Sequence, residues 1–377
     1  MPYPLNALYA QLAQLRMSNN LSPEQVESKL VLGPGWVTGF ETGSPEPSLG
    51  MLAALVSLYG STLSEFFASI ELGRDHAAPD RALFAAETEA GTSIHFQMGA
   101  EAAAVDLPGT TLAAVNRVLK TLSDGLVRTD KRREAVSEAF LTAVHEWPSV
   151  NPSDLWYFLI RHAYQDQYNH PAEAVGTDWA QSWARASGWA LENVFARHYA
   201  GVLSGDGIKL AIASKAEASV YLERMGITGD KSAIEKADVF MLGKHPTTGD
   251  WVPFGVVHVK ASFAERRTDD VPLSQKLMAR NFASPLMTMD CKAAISPTPF
   301  NAGELGAPQG SDAEVSSKRL DIERDRNFDA CFSYNTNTIA TPIEQQAAAR
   351  IYVSSFARDL EDPFVVYARS KFAQQFG

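Results

Sequence analysis

Apolar residues recur at helical spacing from Leu5 to Met17, after which the pattern breaks into shorter pieces. Leu21-Ser22-Pro23-Glu24-Gln25 reads as a helix start, with a serine N-cap, proline at the first helical position and an acidic first turn. Val26 and Leu30 continue that helix on one face, and Gly33-Pro34-Gly35 breaks it. A second short helix then runs through Trp36, Val37, Phe40 and Glu41 to a stop at Gly43. Pro47 and Ser48 lead into Leu52-Ala53-Ala54-Leu55, then Leu58, Leu63 and Phe66-Phe67. Two short helices about a sharp turn, inside a small all-helical unit, describe a helix-turn-helix over residues 1–72.

A polar stretch from Gly73 to Pro79 reads as a linker. From Ala82 to about Tyr168 the pattern predicts helical pieces, including Leu112 to Leu122 and Glu134 to Trp147, with breaks at Pro108, Pro148 and Pro152. This region, 80–175, is expected to be a helical linker or dimerisation region, and its compact basic run, Lys131-Arg132-Arg133, reads as a solvated helix start.

The pattern changes near residue 176. Leu191, Val194, Phe195 and Tyr199 give one buried helix face, and Glu192 sits beside it. Ser214 to Met225 reads as a further helix. Two apolar runs follow, Val239-Phe240-Met241-Leu242 and Val256-Val257-His258-Val259, with His245-Pro246-Thr247-Thr248-Gly249-Asp250 between them, which predicts an antiparallel hairpin. A helix capped by Ser274 and running past Leu277 and Met278 comes next, then strands over Pro285–Met289 and Phe328–Tyr334, with helix again from Ile343 to Ala357. The order predicts a mixed sheet with helices on its faces. The fold class is therefore a mixed α/β core over 176–377, preceded by an all-α helix-turn-helix domain and a helical middle region.

Composition narrows the picture only slightly. At 377 residues the chain can hold two or three domains, and 45% hydrophobic with 20% charged residues is ordinary for a globular protein. No apolar run approaches membrane-spanning length, and Met1-Pro2-Tyr3-Pro4-Leu5 lacks a basic region ahead of an apolar one. Cys291 and Cys331 lie far apart and fit no zinc pattern, so a reducing cytoplasm is the expected location. A net charge of −11 argues against indiscriminate nucleic-acid binding but leaves room for a local basic cleft.

The hairpin carries the chemistry. Asp238 opens its first strand and Lys260 closes its second, so pairing brings a carboxylate and an ammonium together at one end of a sheet. A carboxylate can hold Mg²⁺, and a lysine beside it can orient or activate a water while steadying the charge on a phosphorane. That pairing suggests a nuclease. Each residue also has a plainer reading: Asp238 as a strand cap, Lys260 snorkelling at a sheet end, Glu192 exposed on its helix, and His258 as a hydrogen-bonded core histidine. Asp290-Cys291-Lys292, at the end of a later strand, is a rival Asp-x-Lys pair that could instead line a DNA cleft.

Two resemblances follow from these residues. Leu21-Ser22-Pro23-Glu24-Gln25-Val26, Phe40-Glu41-Thr42-Gly43 and Pro47-Ser48-Leu49 make residues 5 to 68 similar to the Cro/phage-repressor class of helix-turn-helix domains. The resemblance implies contact with DNA, for which Gln25 at a phosphate, Trp36 as an apolar wedge and Thr38 are the candidates. The groove-facing helix offers no Arg, Lys, Asn or Gln to read base edges. A module retained for packing or dimerisation is the other reading.

The order of helix, strand, strand, helix and strand, with Glu192, Asp238 and Lys260, resembles the PD-(D/E)xK nucleases over roughly residues 178 to 340. Type II restriction endonucleases are the most similar in style, with the CCGG-cutting enzymes and a BsaWI-like relationship within them. The resemblance implies that Glu192 and Asp238 bind Mg²⁺ and that Lys260 assists the attacking water. His258 stands where the family usually has an acidic residue, with Glu192 the first substitute carboxylate and Glu265 the next. Arg266 and Arg267, directly after the catalytic strand, Lys292, Lys318, Arg319 and Asn335 are the expected DNA contacts of this domain, while Arg324 and Arg326 read as solvated charge.

The function so implied is Mg²⁺-dependent cleavage of double-stranded DNA at a short palindromic site by a homodimer, with a cognate DNA methyltransferase as genetic partner. A transcriptional regulator with a non-catalytic C-terminal sensing domain is the alternative from another class, and a repair nuclease is a third.

Overall fold

The computed structural model describes residues 5–19, 21–41, 48–67, 83–98, 101–126, 131–165, 179–262, 267–291, 301–308, 315–357 and 361–377. Two compact units divide the chain, Met1–Phe84 and Ala85–Gly377.

The first unit is helical: α1 (Leu5–Ser18), α2 (Pro23–Leu30), α3 (Trp36–Glu41), α4 (Leu49–Leu58) and α5 (63–67). Ser22 and Gln25 form a reciprocal capping box that starts α2. Val31 ends it in the left-handed conformation (φ 56°). Val26, Val37, Phe40, Leu52, Leu55 and Val56 fill the core. Two polar ties fix the helix pair within it. The buried Glu27 carboxylate accepts from the Val37 amide at 2.9 Å. The Arg16 guanidinium donates to both Glu41 oxygens, at 2.7 and 2.9 Å.

The second unit opens with strands where helix was expected. β1 (Leu83–Thr88), β2 (Gly91–Met98) and β3 (Glu101–Pro108) form a three-stranded sheet, with β2 and β3 antiparallel. The alanines of Glu101-Ala102-Ala103-Ala104 suggest helix by propensity. Burial nevertheless alternates along Ala103 to Leu107, the period of a strand. From there α6 (Leu112–Leu126), α7 (Arg132–Glu146), α8 (Pro152–Gln165) and α9 (Trp179–Ser204) supply the helices.

The main sheet has six strands in the order β4-β5-β6-β7-β8-β9. These are β4 (Ile208–Ala211), β5 (Val239–Lys244), β6 (Trp251–Lys260), β7 (Leu286–Thr288), β8 (Cys331–Ser333) and β9 (Ile351–Val353). β4, β5 and β6 pair antiparallel, and β6 through β9 pair parallel. The expected hairpin is β5–β6, closed by the His245 amide on the Asp250 carbonyl at 2.8 Å. Its register shifts between Met241 and Leu242, a bulge that accommodates Pro253, which lacks a ladder donor. β9 corrects the helix expected from Ile343 to Ala357, because Ile351-Tyr352-Val353 joins the sheet edge beside β8.

Helices α10 (Lys215–Arg224), α11 (Lys231–Lys236), α12 (Arg267–Met278), α13 (Ser317–Glu323) and α14 (Pro363–Phe376) complete the unit. Ala218 and Leu222 of α10 and Leu273 and Leu277 of α12 pack on Phe240, Leu242 and Val256, while α9 and α14 also pack against β6. β6 is therefore buried from Pro253 to Val259, and only its ends reach solvent. Among the described residues, no helix is long and apolar enough to cross a membrane.

Gly255 is the tightest point of β6. A Cβ there would lie 2.6 Å from both the Cβ and the carbonyl oxygen of Ala283. Because one of these is backbone, Gly255→Ala is expected to destabilise the second unit by about 1–3 kcal/mol, read as a lower denaturant midpoint. An unchanged midpoint would show that the strand has room to move.

Candidate active site

The hairpin geometry places its two ends together. Asp238 lies just before β5, and its Oδ2 accepts from the Val259 amide at 2.8 Å and the Lys260 ammonium at 3.0 Å. Residues 258 and 260 share a face of β6, so His258 and Lys260 turn the same way. A second carboxylate meets them from the first turn of α12: Asp270 Oδ2 is 2.7 Å from Lys260 Nζ and 3.8 Å from His258 Nδ1. Asp270 is 1% exposed, and its Oδ1 has no hydrogen-bond partner.

Sequence reasoning passed over Asp270. The signal was the pair Asp269-Asp270, but Ser274 was read as the cap of a helix beginning later. The structure starts α12 at Arg267 and carries Pro272 inside it.

Glu192 comes from α9, on the helix face turned toward the hairpin. Burial, with the negative charge of Asp238 next, pushes its carboxyl up to about 8, while Lys260 and Arg133 pull it down. Burial lowers the Lys260 ammonium, but Asp238 and Asp270 outweigh it and the net shift is upward. The lysine is therefore held as a cation. His258 goes the other way: burial drops its imidazole to about 4, against the pull of Asp238, so it is neutral near pH 7.

The tautomer of His258 follows from its neighbours. The Ser284 hydroxyl donates to Ser274 at 2.8 Å and lies 3.0 Å from His258 Nε2. Nε2–H must then donate to Ser284, leaving Nδ1 with only its lone pair, and that atom has no hydrogen-bond partner. Two buried acceptors, Nδ1 and the Asp270 carboxylate, thus face one another. Facing acceptors are stable together only with a cation between or beside them. Ligand atoms of Asp238, His258 and Asp270 lie within 4.8 Å of one another, a spacing that could hold a metal ion. Carboxylate oxygens suit a hard divalent ion better than imidazole does, which favours Asp238 and Asp270 as its ligands, with Glu192 alongside.

The rival pair resolves differently. Asp290 is fully buried, accepts from the amides of Glu304 (2.6 Å) and Leu305 (3.3 Å) and from the Thr338 hydroxyl (2.7 Å), and is pushed up to about 6 by burial. It is an internal brace. Lys292, Glu265 and Arg266 lie outside the described residues, and Arg267 opens α12.

Two expected DNA contacts are corrected by burial. Arg319 is 0% exposed, and its guanidinium donates to the carbonyls of Leu305, Gly306 and Ile339 and to Glu323. Asn335 is also 0% exposed; its amide nitrogen donates to the carbonyls of Asp290 and Asn301, and its oxygen accepts from Asn151 and the Asn337 amide. Neither can reach a base without unfolding its surroundings. Lys318 is half-buried and ion-paired with Glu304.

In the N-terminal unit, the Gln25 side-chain oxygen accepts from the Ser22 amide, so it serves the cap. Trp36 is half-buried against the core and stacks on Phe40 with centroids 5.3 Å apart, which leaves no free wedge. Thr38 is exposed. Residues 5–67 hold two cations, Arg16 and Lys29, against five glutamates, and Arg16 is paired with Glu41. Such a surface is poor in the charge that phosphate binding requires.

Comparison with known proteins agrees with the geometry. A family described as a helix-turn-helix domain matches residues 7–66. The type II restriction enzyme AgeI of Thalassovita gelatinovora is 36% identical over 249 residues, which cover 64% of this chain and 85% of AgeI. A crystal structure of a specific AgeI–DNA complex superposes with a TM-score of 0.63 at 32% identity, over 74% of this chain and 99% of that one. A pre-specific BsaWI–DNA complex aligns over 69% of this chain and 92% of its own at 16% identity, with a TM-score of 0.31 that carries no structural argument. With that identity over most of AgeI and a mixed α/β core of the same kind, the chain belongs to the type II restriction endonucleases related to AgeI, and is a site-specific DNA-cleaving enzyme with a helix-turn-helix domain ahead of its catalytic unit.

Proposed function

We propose that this endonuclease hydrolyses phosphodiester bonds of double-stranded DNA at a short palindromic site, as a homodimer using Mg²⁺. The observation that carries the reading is the convergence of Asp238, Asp270 and Lys260, from a strand start, a helix start and a strand end, at one end of the β5–β6 hairpin. The AgeI–DNA complex among its structural relatives supports DNA as the substrate. Cutting both strands of a palindrome by one active site per chain favours two copies related by a two-fold axis. A modification methyltransferase protecting the same site is the genetic partner expected of such an enzyme.

The buried acceptors at Asp270 and His258, and the three carboxylates around Lys260, fit a hard divalent cation. When bound, the ion supplies a water of lowered pKa and a positive charge for a phosphate oxygen. Asp238 and Asp270 would hold it, with Glu192 as a third ligand. Held protonated by its two aspartates, Lys260 cannot serve as a general base; it offers fixed positive charge to the phosphate as negative charge builds on its oxygens. His258 ties the strand end to the helix that carries Asp270 through the Ser284–Ser274 chain, without adding charge of its own.

Incubation of the protein with plasmid and Mg²⁺ is expected to give discrete fragments. Asp238→Ala and Lys260→Ala, each shown to be folded by its thermal melt, should each lower cleavage at least ~100-fold while duplex affinity stays within about tenfold. Full cleavage by either folded variant would overturn the assignment.

A second expectation concerns pH in the metal-free protein. The Glu192 carboxyl titrates at about 8 in the fold and near 4.5 when unfolded, so the folded state binds the extra proton between these values. Stability contributed by this site is then present below about 4.5 and lost as pH rises toward 8. Glu192→Gln removes that loss. Its Tm relative to the unsubstituted enzyme should therefore climb between pH 5 and pH 8, by on the order of 5 °C, and level off above. A Tm difference independent of pH would show that Glu192 is not held in the buried cluster.

A further inference from the structure

We propose that Arg133 is a phosphate-binding residue at the rim of the active site, where it docks a backbone phosphate of the DNA beside the scissile bond. The proposal rests on the nuclease reading above and adds to it a residue from the helical segment that the sequence suggested was only a solvated helix start.

Three observations place Arg133 there. Its guanidinium lies over the Trp189 ring, with Cζ 5.5 Å from the centroid. Trp189 precedes Glu192 by three residues on α9, so it stands one helical turn from the active-site carboxylate on the same side. The helix bearing Arg133 is fixed to α9 by two further ties: the buried Ser137 hydroxyl donates to the Ala190 carbonyl at 3.0 Å, and Arg197 pairs with Glu138 at 2.7 Å.

The chemistry of this arrangement favours a phosphate. Arg133 is exposed, and among the described residues no carboxylate forms an ion pair with it. Stacking holds a guanidinium by its face and leaves its in-plane N–H donors pointing outward, the geometry for bidentate contact with phosphate oxygens. Its neighbour Arg132 is half-buried, with Nε donating to the Leu126 carbonyl at 3.3 Å, and so belongs to the fold. The charge balance points the same way. A chain of net charge −11 must hold DNA with a few well-placed cations. Arg319 is sealed inside and Lys318 is bound to Glu304, which leaves Arg133 as a cation on a structured element, beside the site and facing solvent.

The test uses the full chain and a duplex carrying a cleavage site mapped with the unsubstituted enzyme. Failure to find any such site would defeat the nuclease reading itself, whereas the results below bear only on Arg133. Binding is measured with Ca²⁺ in place of Mg²⁺ across about 50–200 mM salt. Arg133→Ala is expected to weaken binding about tenfold at ~0.1 M salt and to make the slope of log affinity against log salt shallower by about one. Arg133→Lys should restore the slope but not the full affinity, because it keeps the charge and loses the planar fork. Trp189→Leu should lower affinity with the slope unchanged, since only the stacking platform is removed. Affinity and slope of Arg133→Ala within error of the unsubstituted enzyme would overturn the proposal. So would a loss that is equal at every salt concentration, which is the mark of a disturbed fold.

Discussion

A single ammonium, that of Lys260, lies 3.0 Å from one buried or half-buried aspartate and 2.7 Å from another, and the architecture of the second unit converges on it. Asp238 is delivered by the start of β5, Asp270 by the start of α12, and Glu192 by the long helix α9. Three carboxylates brought this close in a poorly solvated place repel one another. Burial first, and the repulsion from Asp238 second, raise the Glu192 carboxyl. Lys260 offsets it in part, and a divalent ion would offset the rest. The same electrostatic deficit would give the site its affinity for a divalent ion.

That deficit also explains why the rest of the unit is so heavily braced. Asp290, Arg319 and Asn335 form dense internal hydrogen-bond networks with carbonyls, amides, a hydroxyl and the Glu323 carboxylate. β6 is buried along most of its length and packed against Ala283 at Gly255. A rigid sheet keeps the end of β6 from relaxing away from the crowded charges.

How much of this was legible in the residues depended on distance along the chain. The Asp238–Lys260 pair was readable because a single hairpin joins the two, and a turn sequence announces a hairpin locally. Glu192 was readable because helical periodicity fixed which way its helix faced. Asp270 was hidden because Ser274 reads as an N-cap, which placed the helix start after it, whereas the helix opens at Arg267. Arg319 and Asn335 were read as DNA contacts because nothing in a basic or amide side chain reveals that distant carbonyls, such as that of Ile339, will enclose it. The strands over 83–108 were hidden by alanines whose helix propensity gave way to sheet pairing. Arg133 looked like surface charge until Trp189 was seen beneath it.

The N-terminal domain follows a separate logic. Its fold rests on the capping box at Ser22, the Glu27–Val37 tie and the Arg16–Glu41 pair, which engage these polar groups within the domain. The residues proposed for cleavage all lie in the second unit. The central claim, that Asp270 completes a divalent-ion site with Asp238, is tested most directly by Mn²⁺ titration followed by electron paramagnetic resonance. The account predicts one bound ion per chain in the unsubstituted protein and at least tenfold weaker binding in Asp270→Asn, with the fold intact by circular dichroism. Equal Mn²⁺ affinity in the two proteins would contradict it.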